Sequence, residues 1–283
     1  MLEAPELVRL VVNKSVVSEK RGRGRRGYGR CPAVRLLVYA QLRVIHRDKN
    51  LEKFLKKKNR GIAIALGLDG VPDRTTIGRW KRRLEDVVKQ VFEKVSNIIQ
   101  MLSPTKDLVV DSTPLEDSQD PDAKWGKSFR RWFKGYKAHL AVNQDGLVLK
   151  AKITTGNRYD SPFLPELVRG FSPERVLADA GYDSEKNRKA WREIGAKTHI
   201  AKNPRNSGEE YELSEVLKEK RSVVERFNSR LKELLQESWQ GSRGFAKTKT
   251  IIYTALIAIT TIAIQALLSE KSDMVRKINF CRN

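Results

Sequence analysis

Residues 136–153 read YKAHLAVNQDGLVLKAKI, and the fold class turns on this stretch. Apolar and polar side chains alternate through Tyr136–Val142 and again through Leu147–Ile153. That is the period-two signature of strands. Between them Asn143-Gln144-Asp145-Gly146 supplies turn residues, including a glycine free to take left-handed backbone, so the two runs should close into a hairpin. Working outward, Leu108–Asp111 is a short apolar run ending in acid. Arg175–Ala178 is another, followed by Asp179, and Thr198–Ala201 is a last one. Helical patterns separate them: Ser161–Arg169 opening with Pro162, Ser184–Ile194 stopped by Gly195, and a long run from Ser214 to Glu237. Strands alternating with helices predict an α/β domain with a mixed five-stranded sheet flanked by helices.

Upstream of Pro104 the pattern is helical. Ala33, Leu36, Leu37, Ala40 and Val44 fall on one face, with Pro32 suited to a first turn. A short apolar helix around Ile62–Leu66 ends at Gly67. Asp73 or Thr75 can then cap a helix carrying Ile77, Trp80 and Leu84 inward, with Arg74, Arg79, Lys81, Arg82 and Arg83 on or beside its outer face. This is the grammar of a helix-turn-helix, which other small helical bundles share. The segment Glu19–Arg30, EKRGRGRRGYGR, has no apolar periodicity and reads as a basic arm. The domain plan is a basic mobile arm (1–31), an all-α helix-turn-helix-like region (32–103), the α/β domain (104–270) and a tail (271–283). Ile251–Leu268 is long enough to span a bilayer, but Tyr253, Thr254, Thr260, Thr261 and Gln265 interrupt it. A helix buried in a large fold is the expectation, with no membrane partner.

Composition narrows the function. Fifty-six Lys and Arg against 34 Asp and Glu give a net charge of +22, a field that favours polyanionic partners. Cys31 and Cys281 stand far apart, and His46, His139 and His199 are scattered, which argues against a disulfide scaffold and a zinc centre. Any metal would need carboxylate ligands, which suits magnesium or manganese. The opening residues, MLEAPELVRLVVNKSVV, carry early acid and no long apolar run, so the cytoplasm, and there the nucleoid, is the expected location.

Two strand-end aspartates, Asp111 and Asp179, stand where ligands collect in open α/β sheets. Glu225 sits mid-helix in RSVVERFNSRLKE, where Arg221, Glu225, Asn228 and Lys232 form one polar stripe beside Val224, Phe227, Leu231 and Leu234. Three acids around one point can hold two hard cations. Taken singly, each has a structural explanation: a turn at Asp111 or Asp179, or a surface bridge from Glu225 to Arg221.

The order of these blocks resembles the DDE transposases of prokaryotic insertion sequences, in the insertion-sequence-four and -five-like group. Asp111-Ser112-Thr113 is similar to the family's first block and Asp179-Ala180-Gly181-Tyr182 to its second. Arg221, Glu225 and Lys232 match its third, whose tyrosine position here holds Lys218. GN-x-x-DS, at Gly156–Ser161, adds to the likeness, which spans about Asp107 to Leu268. The resemblance implies a ribonuclease H-like fold. It implies Asp111, Asp179 and Glu225 as catalytic residues holding two Mg2+ ions (or Mn2+), with cleavage at transposon ends and transfer of a 3′-hydroxyl into target DNA. Arg221, Asn228 and Lys232, together with Lys137 and His139 on a neighbouring strand and Arg79, Arg82 and Arg83 upstream, are the expected contacts to double-stranded DNA; a structural salt bridge is the other reading of Arg221 and Lys232, and a packed strand position that of His139. A homodimer or higher oligomer is the expected assembly on two DNA ends. Other readings are a ribonuclease H-fold nuclease without strand transfer and a DNA-binding derivative without catalysis. Trp125, Phe129, Trp132 and Phe133, interleaved with Lys124, Lys127, Arg130, Arg131 and Lys134, form a basic-aromatic segment suited to stacking on a base or entering a duplex, or to packing at the core edge.

Overall fold

Acidic caps, apolar stripes and two sheet faces organise the computed structural model, which describes residues 2–13, 15–17, 27–57, 59–128, 131–200, 214–235 and 243–271. The expected arm at Arg21, Arg23, Arg25 and Arg26, the pair Phe129 and Arg130, and the tail from residue 272 lie outside the described residues. Two units divide the chain: residues 1–98, 119–122 and 231–283 form one, residues 99–118 and 123–230 the other. This differs from the boundaries drawn on sequence, because residues 231–270 group with the N-terminal helices.

The first unit contains α1 (Ala4–Val11), α2 (Arg30–Leu42), α3 (Asp48–Lys56), α4 (Arg60–Ala65), α5 (Arg74–Arg83) and α6 (Glu85–Leu102) as far as residue 98. α1 is an ordered helix with Leu7, Val8 and Val11 buried, so residues 1–31 are not uniformly an arm. α2 is buried on nearly every side, from Cys31 to Leu42, rather than on one stripe. The reason is the apolar helix Phe245–Leu268, which packs on both α2 and α5. Its mean hydropathy of 2.2 would suit a membrane span, yet 89% of its most apolar window is buried by protein. Its threonines are accommodated locally, since the Thr260 and Thr261 hydroxyls donate to Leu256 O and Ile257 O at 2.8 Å. Its N-terminus is held by acids: Gly244 N donates to Asp120, and Phe245 N to Asp122 at 2.9 Å.

The expected helix-turn-helix grammar appears as α3, α4 and α5. Gly67 turns the chain at φ +90° after α4. Asp73 caps α5 by accepting from Thr75 N and Thr76 N at 2.8 and 2.9 Å. Those bonds, led by the Thr75 side chain, hold the Asp73 carboxyl well below its ordinary value. Ile77 and Leu84 point inward, and Trp80 meets Tyr28 edge-on at 5.4 Å. Lys81 departs from expectation. It is 3% exposed, pairs with Asp48 at 2.7 Å and donates to His46 O at 2.7 Å.

The second unit is built on a six-stranded mixed sheet of the ribonuclease H-like kind. Its strands are β1 (Asp107–Glu116), β2 (Lys124–Lys127), β3 (Trp132–Asn143), β4 (Val148–Thr155), β5 (Arg175–Ala178) and β6 (Lys197–Ile200), in order β2-β3-β1-β5-β6 with β4 also paired to β3. The strand beyond the expected five is β2, drawn from the basic-aromatic segment. Gly146 closes the β3–β4 turn at φ +73°, with Asn143 Oδ1 accepting from Asp145 N and Leu147 N. Close backbone approach explains the glycine opening the GN-x-x-DS block. A Cβ on Gly156 would meet Lys124 O at 2.7 Å and Gly135 O at 3.0 Å. Around the sheet lie α7 (Leu164–Val168), α8 (Glu185–Glu193) and the long helix Glu215–Leu235, of which residues 215–230 belong to this unit. We call the long helix α9 and the apolar helix α10.

Candidate active site

Strand register brings the first two acids together. β1 and β5 run parallel, with Asp107 opposite Arg175 and Val110 opposite Ala178. Asp111, midway along β1 where its pairing with β5 stops, and Asp179, just past the end of β5, therefore lie one row beyond the last paired residues. Asp111 is half-buried, whereas Asp179 is exposed and accepts from Ala180 N at 2.6 Å.

α9 is pinned alongside β1 by two contacts. Lys220 Nζ donates to Asp107 Oδ2 at 2.8 Å, and Asn228 Nδ2 to Asp111 Oδ2 at 3.0 Å. The eight-residue step along the helix covers about 12 Å. The four-residue step along the strand covers about 13 Å. The two spacings match, so helix and strand run side by side, and Glu225 falls between the pins. Val224 and Phe227 are fully buried and press this part of the helix into the unit, each contributing about 1.5–3 kcal/mol.

The electrostatics record the same neighbourhood. Burial does most to push the Asp111 carboxyl up, to about 7; Asp179 and Glu225 push the same way, while Ser112 N–H and Arg221 oppose. Glu225 is 55% exposed and turned to Arg221, at 3.1 Å. Among the described residues no three His, Cys, Asp or Glu side chains lie close enough to enclose an ion. The acids share a field but not yet a ligand shell. In its chemistry, an all-oxygen carboxylate donor set of this kind suits hard divalent cations.

Other expected site residues lie elsewhere. In the β1–β3 ladder Ser112 pairs with His139 and Pro114 with Lys137, so those two side chains share the face opposite Asp111. There Lys137 Nζ meets Asp160 at 3.0 Å and donates to Arg158 O. His139 lies 3.5 Å from Asp160, bonds Thr154 Oγ1 at 2.9 Å and stacks on Phe163. Burial first, with Lys137 adding, lowers the His139 pKa to about 4. Both residues are buried beside Asp160, the packed arrangement that was one of the two readings open for His139. Lys232 is exposed, seven residues beyond Glu225 on α9. Arg79, Arg82 and Arg83 are exposed on α5; Arg79 and Arg82, with Arg74, Thr75, Gly78 and Asp48, line an open groove of about 610 Å³.

Sequence reading missed one support and assigned no role to Tyr182 of the second block. Asp107 is 4% exposed; burial pushes its carboxyl up, but Arg175 at 2.5 Å and Lys220 hold it below the usual value. Its place four residues before Asp111, on the same strand face, was the available signal. Tyr182, 1% exposed, has its hydroxyl pushed well above the ordinary value by burial and then by Asp160 and Asp111.

Residues 102–261, more than half of the chain, match the family described as "Transposase DDE domain". The chain belongs to the DDE transposase family. Among solved structures, the piggyBac transposase in a synaptic complex with hairpin DNA is similar at a TM-score of 0.52 and 11% identity, covering 98% of this chain and 79% of that one. The Mos1 strand transfer complex aligns at a TM-score of 0.23 and 13% identity, over 76% and 80% of the two chains. The first likeness matches the transposase in fold.

Proposed function

We propose that this transposase cuts phosphodiester bonds at the ends of a prokaryotic insertion sequence and joins the freed 3′-hydroxyl to target DNA. The observation that carries the reading is that Asp111 and Asp179 follow the last paired row of β1 and β5, with Glu225 in the same field. Those three side chains would hold two Mg2+ ions (or Mn2+), which when bound activate an attacking oxygen and stabilise a leaving one. Asp111, whose carboxyl feels both of the other acids, would be the central member of the set. Arg221 restrains Glu225 in the absence of substrate; once released, its planar fork suits a phosphate near the reacting bond. Lys232, further along α9, extends that positive stripe.

Two further surfaces support DNA as the partner. The exposed arginines of α5, Arg79, Arg82 and Arg83, suit a major groove and its phosphates. On the β2–β3 pair, Trp125 opposes Lys134 and Lys127 opposes Trp132, so two tryptophans and two lysines share one face. The tryptophans are 63% and 65% exposed, a face suited to stacking on bases beside a phosphate backbone. Work on two DNA ends calls for at least a dimer, and the chromosome places the activity in the cytoplasm at the nucleoid.

The test is a plasmid carrying element ends, incubated with the protein, Mg2+ and a target plasmid. Nicked ends and joined products are expected. Cleavage without joining would favour a nuclease of the same fold, and neither product would overturn the reading. Replacing Arg79, Arg82 and Arg83 together by alanine should weaken DNA binding and flatten its salt dependence by about 0.9 in slope per lost phosphate contact.

A further inference from the structure

Spacing grouped Asn228 with Arg221 and Lys232 as a DNA contact, yet its side chain is only 7% exposed. Its Nδ2 donates to Asp111 Oδ2 at 3.0 Å, and its Oδ1 is buried without a hydrogen-bond partner. A buried amide with one end orphaned is unfavourable for stability, because the desolvation of that oxygen is not repaid. Residues on either side show what this helix position tolerates: Val224 and Phe227 are completely buried and apolar. An amide here, where a leucine of similar volume would fit the apolar stripe, needs a reason outside stability.

We infer that Asn228 is a positioning residue for Asp111, holding one carboxylate oxygen so that the other stays directed at the cation site. This rests on the metal reading proposed above. A neutral donor suits the task. A lysine in its place would neutralise the charge a cation needs, and an aspartate would add a fourth acid to the field of Asp111, Asp179 and Glu225. The Lys220–Asp107 pin fixes the helix along the strand, and the Asn228 bond then fixes the carboxylate's rotation about its own axis. An outer contact that orients a ligand in this way sets metal affinity without touching the metal.

The test measures Mn2+ binding to the full chain, without DNA, by electron paramagnetic resonance, alongside thermal melting. Asn228→Leu should weaken Mn2+ about tenfold while the melting temperature changes little, since loss of the orphaned oxygen offsets loss of the bond to Asp111. Asn228→Ala should show the same weakening and provides the measurement if the leucine variant does not fold. Wild-type Mn2+ affinity in a folded Asn228 variant, with Asp111→Asn binding none, overturns the inference while leaving the metal site standing. If Asp111→Asn itself binds Mn2+ like wild type, the metal site fails and the positioning role with it. A purely structural Asn228 gives the reverse pattern: melting falls and affinity is kept.

Discussion

Asp111 and Asp160 lie against opposite faces of one sheet and keep opposite electrostatic company. Asp160 has Lys137 at 3.0 Å, so its charge is met by the protein itself, with the neutral His139 packed 3.5 Å away. Asp111 shares its field with Asp179 and Glu225, offset by Arg221 and by one amide bond from Asn228. Both faces were built from residues that sequence reading marked as reactive. The difference is compensation: Lys137 meets the charge of Asp160, whereas the Asp111 cluster is left short of positive charge, although both acids bear on the Tyr182 hydroxyl. A fold that tolerates such a shortage has a use for a cation, and that contrast separates the candidate site from the structural one.

The largest effect expected from breaking this contrast is on chemistry. Asp111→Asn keeps the shape and the Asn228 neighbour but removes the charge. End cleavage should fall by roughly 10³-fold or more, the equivalent of about 4 kcal/mol, with DNA binding retained in a gel-shift assay. Cleavage within threefold of wild type would remove Asp111 from the site. The matching change on the other face, Asp160→Asn, should behave in reverse. It strands Lys137 in a nearly buried position, at a cost on the order of 3 kcal/mol. Melting should drop by about 5–10 °C, while cleavage by the protein that remains folded changes little. A large loss of cleavage at unchanged melting temperature would move Asp160 into the catalytic apparatus.

How legible this contrast is in sequence depends on the range of the interactions. The β3–β4 hairpin was readable because alternation and the Asn143–Gly146 turn are local signals. So was Asp179 at the end of β5, whereas β1 runs on past Asp111 to Glu116 because it keeps pairing with β3. The face on which Lys137 and His139 lie was not readable, because it is set by the β1–β3 register, which pairs residues far apart in sequence. β2 escaped for a related reason: Lys124–Lys127 is four residues long and charged, and it becomes a strand only by pairing with β3. Lys81 looked like an outward-facing base until Asp48, from another helix, met it inside. Asn228 was placed on its helix stripe, but its bond to Asp111 was not readable, since that depends on where α9 lies against β1. The rule is physical: what periodicity encodes is read, and what a distant partner decides is not.

The smallest effect is also the sharpest test of the two faces, because their pH dependences have opposite signs. Asp111 binds its proton more tightly folded than unfolded, with a value near 7 against an ordinary 3.8. Its contribution to stability is therefore full below pH 3.8 and is lost as pH rises toward 7. His139 is held neutral, near 4 against an ordinary 6.5, chiefly by burial. Its contribution is present above pH 6.5 and is lost as pH falls toward 4. In wild type the two slopes partly cancel across that shared window. In metal-free buffer Asp111→Asn should therefore melt higher than wild type at pH 8 by about 3–5 °C and coincide with it near pH 4. Magnesium should narrow the gap at pH 8, because the ion stabilises the ionised wild-type carboxylate. His139→Gln should instead lose the acid limb between pH 6.5 and 4, whether or not magnesium is present. Should magnesium alter both variants alike, the two faces are not electrostatically separate, and the distinction drawn between the Asp111 and Asp160 clusters fails.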